Sequence, residues 1–150
     1  MTSKAAVEDF LAQKTLAVVG VSRGGKKFGN MAYKELRAKG YQVIPVHPNA
    51  DSIEGDRCYP SLSALPEQVG GVLIVVPPDE TEKVVREAVE AGIRRVWMQQ
   101  GAESEAAIQT CEEQGVSAIH GECILMFAEP TGFGHRMHRW IWGMLGKLPR

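Results

Sequence analysis

The chain has 150 residues, 44% of them hydrophobic and 23% charged, with a formal net charge of −1. That length suits one domain with one core, and the near-neutral charge excludes a broadly basic nucleic-acid-binding protein. No apolar run approaches the ~18 residues of a membrane span, no secretory leader follows Met1, and three widely spaced cysteines form neither a disulfide framework nor a zinc cluster. We therefore expect one cytoplasmic domain over residues 1–150, with neither nucleic acid nor membrane as a partner.

Apolar periodicity predicts helices that alternate with short buried strands. A continuous, partly β-branched apolar run is typical of a buried parallel strand, whereas apolar residues three and four apart indicate a helix. In chain order the elements are a helix over residues 3–13, a strand over 15–19, a helix over 30–39, strands over 42–46 and 72–76, a helix over 80–91, a strand over 95–98, a helix over 104–114 and a strand over 116–119. In the second helix, Met31, Ala32 and Leu36 are expected to face the sheet, with Tyr33 as a further candidate.

The region between the second and third strands, residues 48–71, has no clear period. We expect a short extended piece near residues 57–59 and a short helix near residues 62–65. Ser61 is the predicted cap of that helix, because serine commonly accepts a hydrogen bond from the first turn.

Strands that alternate with helices at this spacing indicate a Rossmann-like, doubly wound α/β fold. Parallel strands need right-handed crossovers, which place helices on both faces of a mainly parallel, five-stranded sheet. In such sheets ligands bind beyond the carboxyl ends of the strands, near the point where the strand order reverses. The candidate site loops are therefore residues 20–29, 45–51, 76–79, 99–104 and 120–123.

The loop over residues 20–29 combines glycines with a local excess of cations. Its glycines allow backbone N–H groups to approach an anion just before a helix N-terminus. Three cations, Arg23, Lys26 and Lys27, lie within a stretch of five residues, although the chain as a whole has no net positive charge. The spacing matches neither the dinucleotide fingerprint G-x-G-x-x-G nor a P-loop. The loop therefore predicts a phosphate site for a nucleotide-type ligand of another kind.

The end of the second strand lacks the carboxylate that usually binds the ribose of NAD. Residues 45–49 read Pro-Val-His-Pro-Asn, and the first acidic residue is Asp51. A phosphorylated ribose is better tolerated there, which favours coenzyme A, with its 3′-phosphate and pyrophosphate, and leaves NADP as an alternative. His47 lies between two prolines and is interpreted as a positioned polar side chain rather than a general base.

Several short blocks follow one another in order over residues 13–123. They are Gly20-Val21-Ser22 with Lys26 downstream, Pro45-Val46-His47-Pro48-Asn49, Tyr59-Pro60-Ser61-Leu62, Val75-Val76-Pro77-Pro78, Ala91-Gly92-Ile93, Val96-Trp97-Met98-Gln99-Gln100-Gly101 and the turn at Cys123. Together they resemble the CoA-binding domain family, the small stand-alone relatives of the N-terminal domain of the succinyl-CoA synthetase α subunit. The resemblance implies a Rossmann-like fold and coenzyme A as the ligand.

The resemblance also implies roles for individual residues. Ser22, Arg23 and Lys26 would contact phosphates, and Asn49 lies where the synthetase relatives have a CoA-contacting lysine. Asn49 is uncharged, and the synthetase's phosphohistidine domain is not recognised, so ligase activity is not implied. The expected ligand-binding set is Gly20, Val21, Ser22, Arg23, Lys26, Lys27, Pro45, His47, Asn49, Val76, Pro77, Gln99, Gln100, Gly101 and Cys123, with no catalytic or metal-ligating residues.

The favoured function is a non-catalytic module that binds coenzyme A or an acyl-CoA. An NADP-linked oxidoreductase is the alternative, although none of the three tyrosines has a lysine four residues later. A regulatory or interaction domain with a vestigial pocket is the third. The basic, aromatic segment over residues 132–150 either packs on the domain or serves self-association or a protein partner; nucleic-acid or membrane-surface contact is opposed by the neutral charge of the whole chain.

Overall fold

A computed structural model describes residues 4–22, 24, 27–66 and 68–127, and the predictions for Arg23, Lys26 and residues 132–150 lie outside this part of the chain. The elements are α1 (Lys4–Leu11), β1 (Thr15–Val19), α2 (Phe28–Ala38), β2 (Gln42–Val46), β3 (Ser52–Ile53), β4 (Asp56–Arg57), a 3₁₀ turn (Leu62–Ala64), β5 (Gly71–Ile74), α3 (Pro78–Glu90), β6 (Arg95–Gln99), α4 (Glu105–Gln114), β7 (Ser117–Glu122) and a second 3₁₀ turn (Ile124–Met126). None of the described helices is long and apolar enough to cross a membrane.

Five parallel strands form one sheet in the order β2-β1-β5-β6-β7. The predicted Rossmann-like α/β fold is therefore confirmed. The chain first adds β2 on one side of β1 and then crosses to add β5 on the other side. The strand order thus reverses at β1, and a crevice opens between the carboxyl ends of β1 and β5.

Each strand contributes alternate side chains to two separate cores, because successive residues of a strand point to opposite faces. Helices α1 and α2 cover one face, where Trp97 is fully buried and meets the ring of Phe10 edge-on at 5.3 Å between centroids. Helices α3 and α4 cover the other face, where Val85 and Cys111 pack on the sheet. Helices therefore cover both faces of the sheet.

The irregular region contains a hairpin that the sequence pattern does not reveal. Strands β3 and β4 pair antiparallel, and Glu54 lies at their turn with a φ of 53°. Ser61 occupies the predicted N-cap position, but its side chain makes no capping hydrogen bond. Its hydroxyl lies 3.2 Å from that of Ser63, while the carboxylate of Glu87 on α3 accepts the Leu62 N–H. A tertiary contact replaces the local one.

Helix α2 begins two residues earlier than predicted, and it buries Ala32 and Leu36 as expected but not Met31. Met31, expected to face the sheet, is 47% exposed, and the neighbouring Asn30 is fully buried instead. A polar residue occupies this inward position because its amide is satisfied by hydrogen bonds.

Candidate ligand-binding site

An open cleft of about 370 Å³ lies where the carboxyl ends of β1, β5 and β6 meet. The turns that line it come from three distant parts of the sequence. Seven of the residues expected to bind ligand line this cleft: Gly20, Lys27, Val76, Pro77, Gln99, Gln100 and Gly101. The fold therefore brings together the first, third and fourth of the predicted site loops.

Two glycines of the first loop are required by close packing of backbone on backbone. Gly20 has a φ of 123°, and a Cβ atom there would overlap the carbonyl group of Val75 after β5. A Cβ on Gly29 would overlap the carbonyl group of Gly20, whereas a Cβ on Gly24 would meet nothing within 4 Å. The start of the loop thus packs closely against the residue that follows β5 and against the first turn of α2. Only glycine, which has no Cβ atom, allows these two contacts.

Asn30 fastens the loop to the rest of the domain. Its Oδ1 accepts from the Ser22 N–H at 2.8 Å and from the Ser22 hydroxyl at 3.1 Å. Its Nδ2 donates to the Ser22 carbonyl at 2.9 Å and to Oε2 of Glu54 at 3.0 Å. The buried amide therefore uses both donors and both lone pairs, and it joins the first loop to the tip of the β3–β4 hairpin.

Ser22 and Val21, both expected to bind ligand, have structural contacts. Both Ser22 donors are directed at Asn30, so the Ser22 hydroxyl must turn away from Asn30 before it can reach a phosphate. The Val21 side chain is 4% exposed and packs in the core beneath α2. Val21 can therefore offer only backbone atoms to a ligand.

The N-terminus of α2 faces the cleft without an anionic group of its own. Lys27 occupies the N-cap position, its side chain makes no capping hydrogen bond, and the first turn of α2 contains no acidic residue. Lys27 is exposed, and both Lys27 and Phe28 line the cleft. The positive end of a helix dipole and a lysine thus converge where an anion can enter.

The turn after β6 is held in place by the side chains of Gln99 and Glu103. Oε1 of Gln99 accepts from the Ile124 N–H at 3.0 Å. The two carboxylate oxygens of Glu103 accept from the N–H groups of Gly101 and Gly121, each at 2.9 Å. Glu103 thus ties the cleft-lining turn to the end of β7.

A second, larger cleft of about 540 Å³ lies beside the end of β2, between residues 48–51 and residues 57–60. Asn49 lines this cleft, and its N–H donates to Nδ1 of His47 at 2.9 Å. This hydrogen bond orients the His47 ring against the turn that follows β2. Pro45 is buried in β2, where its carbonyl accepts from the Tyr59 N–H at 3.1 Å. Pro45 thus supports the wall of this second cleft.

The three cysteines differ in exposure, and this difference predicts their reactivity. Cys58 and Cys111 are buried, which raises the pKa of both thiols, that of Cys111 to about 11, whereas Cys123 is half-buried. At pH 8 we expect one thiol per chain to react rapidly with a disulfide reagent and all three to react in denaturant, as measured by thiolate release. Cys123→Ser should remove the rapid reaction; its persistence would contradict this assignment.

The raised thiol pKa values also predict how stability depends on pH. The unfolded chain ionises its thiols near the ordinary value of 9.0, before the folded chain does. The stabilisation that comes from keeping these thiols protonated is therefore fully present below pH 9. The free energy of unfolding decreases as the pH rises from 9 towards 11.

Comparison with known proteins gives a consistent result. A family model described as a CoA binding domain matches residues 14–129. The protein YneT of Bacillus subtilis is 31% identical over 123 residues, which cover 81% of this chain and 91% of YneT. A solved structure of a conserved hypothetical protein from Pyrococcus furiosus superposes with a TM-score of 0.71 at 45% identity, covering 75% of this chain and 97% of that chain.

A longer relative matches a smaller share of its own length. The ADP-forming acetate–CoA ligase II of Archaeoglobus fulgidus is 34% identical over 90 residues, which cover 59% of this chain and 13% of the ligase. This chain is therefore similar to one region of a much larger protein as well as to proteins of its own size.

Proposed function

Because this chain belongs to the CoA binding domain family, we propose that it binds coenzyme A or an acyl-CoA and acts as a binding module without catalysis of its own. The observation that carries this proposal is the N-terminus of α2, which is uncapped, free of acidic residues in its first turn and open to a cleft at the point of strand-order reversal. Dinucleotide-binding folds bind pyrophosphate at such a helix N-terminus.

In this proposal the pyrophosphate and the pantetheine chain of coenzyme A lie one after the other in the cleft along the edge of the sheet. The pyrophosphate would lie against the α2 N-terminus and Lys27, with Arg23 and Lys26 adding charge from the same loop. The pantetheine chain, which is partly apolar, would pass Val76 and Pro77 towards the turn at residues 99–101. Its thiol end would then point towards the carboxyl end of β7, near Cys123.

Isothermal titration tests the proposal directly. The intact chain is titrated with coenzyme A, acetyl-CoA, NADP and NAD at one moderate salt concentration. We expect saturable binding of the two CoA ligands and weaker or no binding of NADP. Binding of NADP alone would favour the oxidoreductase alternative. If none of the four ligands binds, the proposed function is contradicted.

Lys27→Ala is expected to weaken coenzyme A and dephospho-CoA equally, by about fivefold, because Lys27 would contact the pyrophosphate that both ligands share. Titration of the purified variant measures the change. Lys39→Ala provides a matched control, since Lys39 is the C-cap residue of the same helix and lies at its other end. Equal weakening by the two variants would mean that overall charge, rather than the α2 N-terminus, governs binding.

A further inference from the structure

We propose that Arg57 recognises a phosphate monoester on the ribose of the bound nucleotide, in the cleft beside the end of β2. This inference rests on the proposed function, and it adds a residue that determines which nucleotides bind. Nucleotides with a phosphorylated ribose, such as coenzyme A, would be preferred to those with a free ribose hydroxyl at that position.

The position of the second cleft suits the nucleoside half of an extended ligand. Strand β2 neighbours β1 on the side opposite to β5, so the two clefts flank the first loop along one edge of the sheet. Neighbouring strands are about 4.8 Å apart, which separates β2 from β6 by roughly 14 Å. A ligand whose pyrophosphate lies at the α2 N-terminus can therefore extend one end towards β6 and the other towards the β2 cleft.

The guanidinium of Arg57 stacks on an aromatic ring and has no acidic partner among the described residues, so it is available to bind an anion. The ring is that of Tyr59, whose centroid lies 5.2 Å from the guanidinium. The adjacent Asp56 is already occupied, since it pairs with Arg37 at 2.8 Å and accepts the hydroxyl of Tyr33. Stacking on Tyr59 orients the planar group without using its N–H donors, which leaves them for a bidentate contact.

Asp51 provides the opposite charge in the same cleft. A carboxylate repels a phosphate monoester, and it also accepts hydrogen bonds from ribose hydroxyls. The preference for a phosphorylated ribose would thus depend on two opposing effects: Arg57 attracts the phosphate, and Asp51 repels it. Substitutions of these two residues should therefore change selectivity in opposite directions, which a purely structural role would not produce.

The experiment compares coenzyme A with dephospho-CoA by isothermal titration of the intact chain. The unsubstituted chain should prefer coenzyme A. Arg57→Gln should weaken coenzyme A about tenfold, the size of one charge-assisted hydrogen bond at an open site, and leave dephospho-CoA unchanged. Asp51→Asn should increase the preference for coenzyme A several-fold. Arg86→Gln is the control, because it removes the same charge from α3 and should change neither affinity.

Each outcome bears on one of the two proposals. An unsubstituted chain that binds both ligands equally, or an Arg57→Gln variant that keeps its full preference, would overturn the role of Arg57 and leave the proposed function standing. A chain that binds neither ligand would overturn the proposed function itself. Arg57→Lys keeps the charge and should retain part of the preference, so it supports the role of Arg57 even if the glutamine variant unfolds.

Discussion

Gly29→Ala is expected to abolish binding of coenzyme A and to lower the free energy of unfolding by about 2 kcal/mol, a typical result of overpacking. The new Cβ would overlap the carbonyl group of Gly20 and lie 3.2 Å from the backbone nitrogen of Val21. These neighbours are backbone atoms, so they cannot move aside by rotating a side chain. The loop must therefore separate from α2, which displaces the site proposed for the pyrophosphate.

Gly24→Ala is the matched control for this prediction. Gly24 belongs to the same loop, yet an added Cβ would meet nothing within 4 Å. Its unfolding temperature and its affinity for coenzyme A should stay near those of the unsubstituted chain. If both alanine variants behave alike in thermal unfolding and titration, close backbone packing is not what determines the shape of the loop.

Asn30→Asp is expected to lower the free energy of unfolding by about 3 kcal/mol at pH 7, because it places an unpaired charge in a buried position. The aspartate oxygen that replaces Nδ2 would face the Ser22 carbonyl and Oε2 of Glu54, two acceptors that now lie within 3.0 Å of a donor. Protonation of one of the facing carboxyl groups restores a donor. The loss, measured by denaturant unfolding, should therefore become smaller as the pH falls.

A second substitution tests whether the contact with Glu54 causes this loss. Glu54→Gln alone should have little effect, since a glutamine oxygen can still accept from Asn30. Combined with Asn30→Asp, the glutamine amide supplies the missing donor and should recover a substantial part of the stability. Simple addition of the two single effects would show that Asn30 and Glu54 are not coupled.

The main sheet and its covering helices could be predicted from the sequence because each of these elements carries a local signal. Residues 15–19 and 42–46 are strands with the predicted bounds, since continuous apolar runs are needed where both faces of a sheet are covered. Gly40, Gly92 and Gly115 all have positive φ at or just after the ends of helices, which is the usual place for a glycine that follows a helical pattern in a sequence.

The contacts that hold the site together could not be predicted in the same way. Asn30 joins Ser22, eight residues away, to Glu54, which is 24 residues away. Sequence spacing carries no signal for such pairs, because they depend on tertiary packing. One feature of the sequence does point to Asn30: it is a polar residue that directly follows Gly29, near the start of a helix that packs on the sheet. The hairpin over residues 52–57 was missed because two-residue strands have no detectable period.

The packing of Gly20 and Gly29 shapes the first loop without any contribution from the side chain of Lys27. The loop is shaped by two glycines together with Ser22 and Asn30, and the exposed side chain of Lys27 contributes no capping hydrogen bond to α2. Lys27 can therefore be exchanged while the scaffold keeps its stability. A set of variants that changes residue 27 and holds the four shaping residues constant should yield folded proteins with a range of anion affinities.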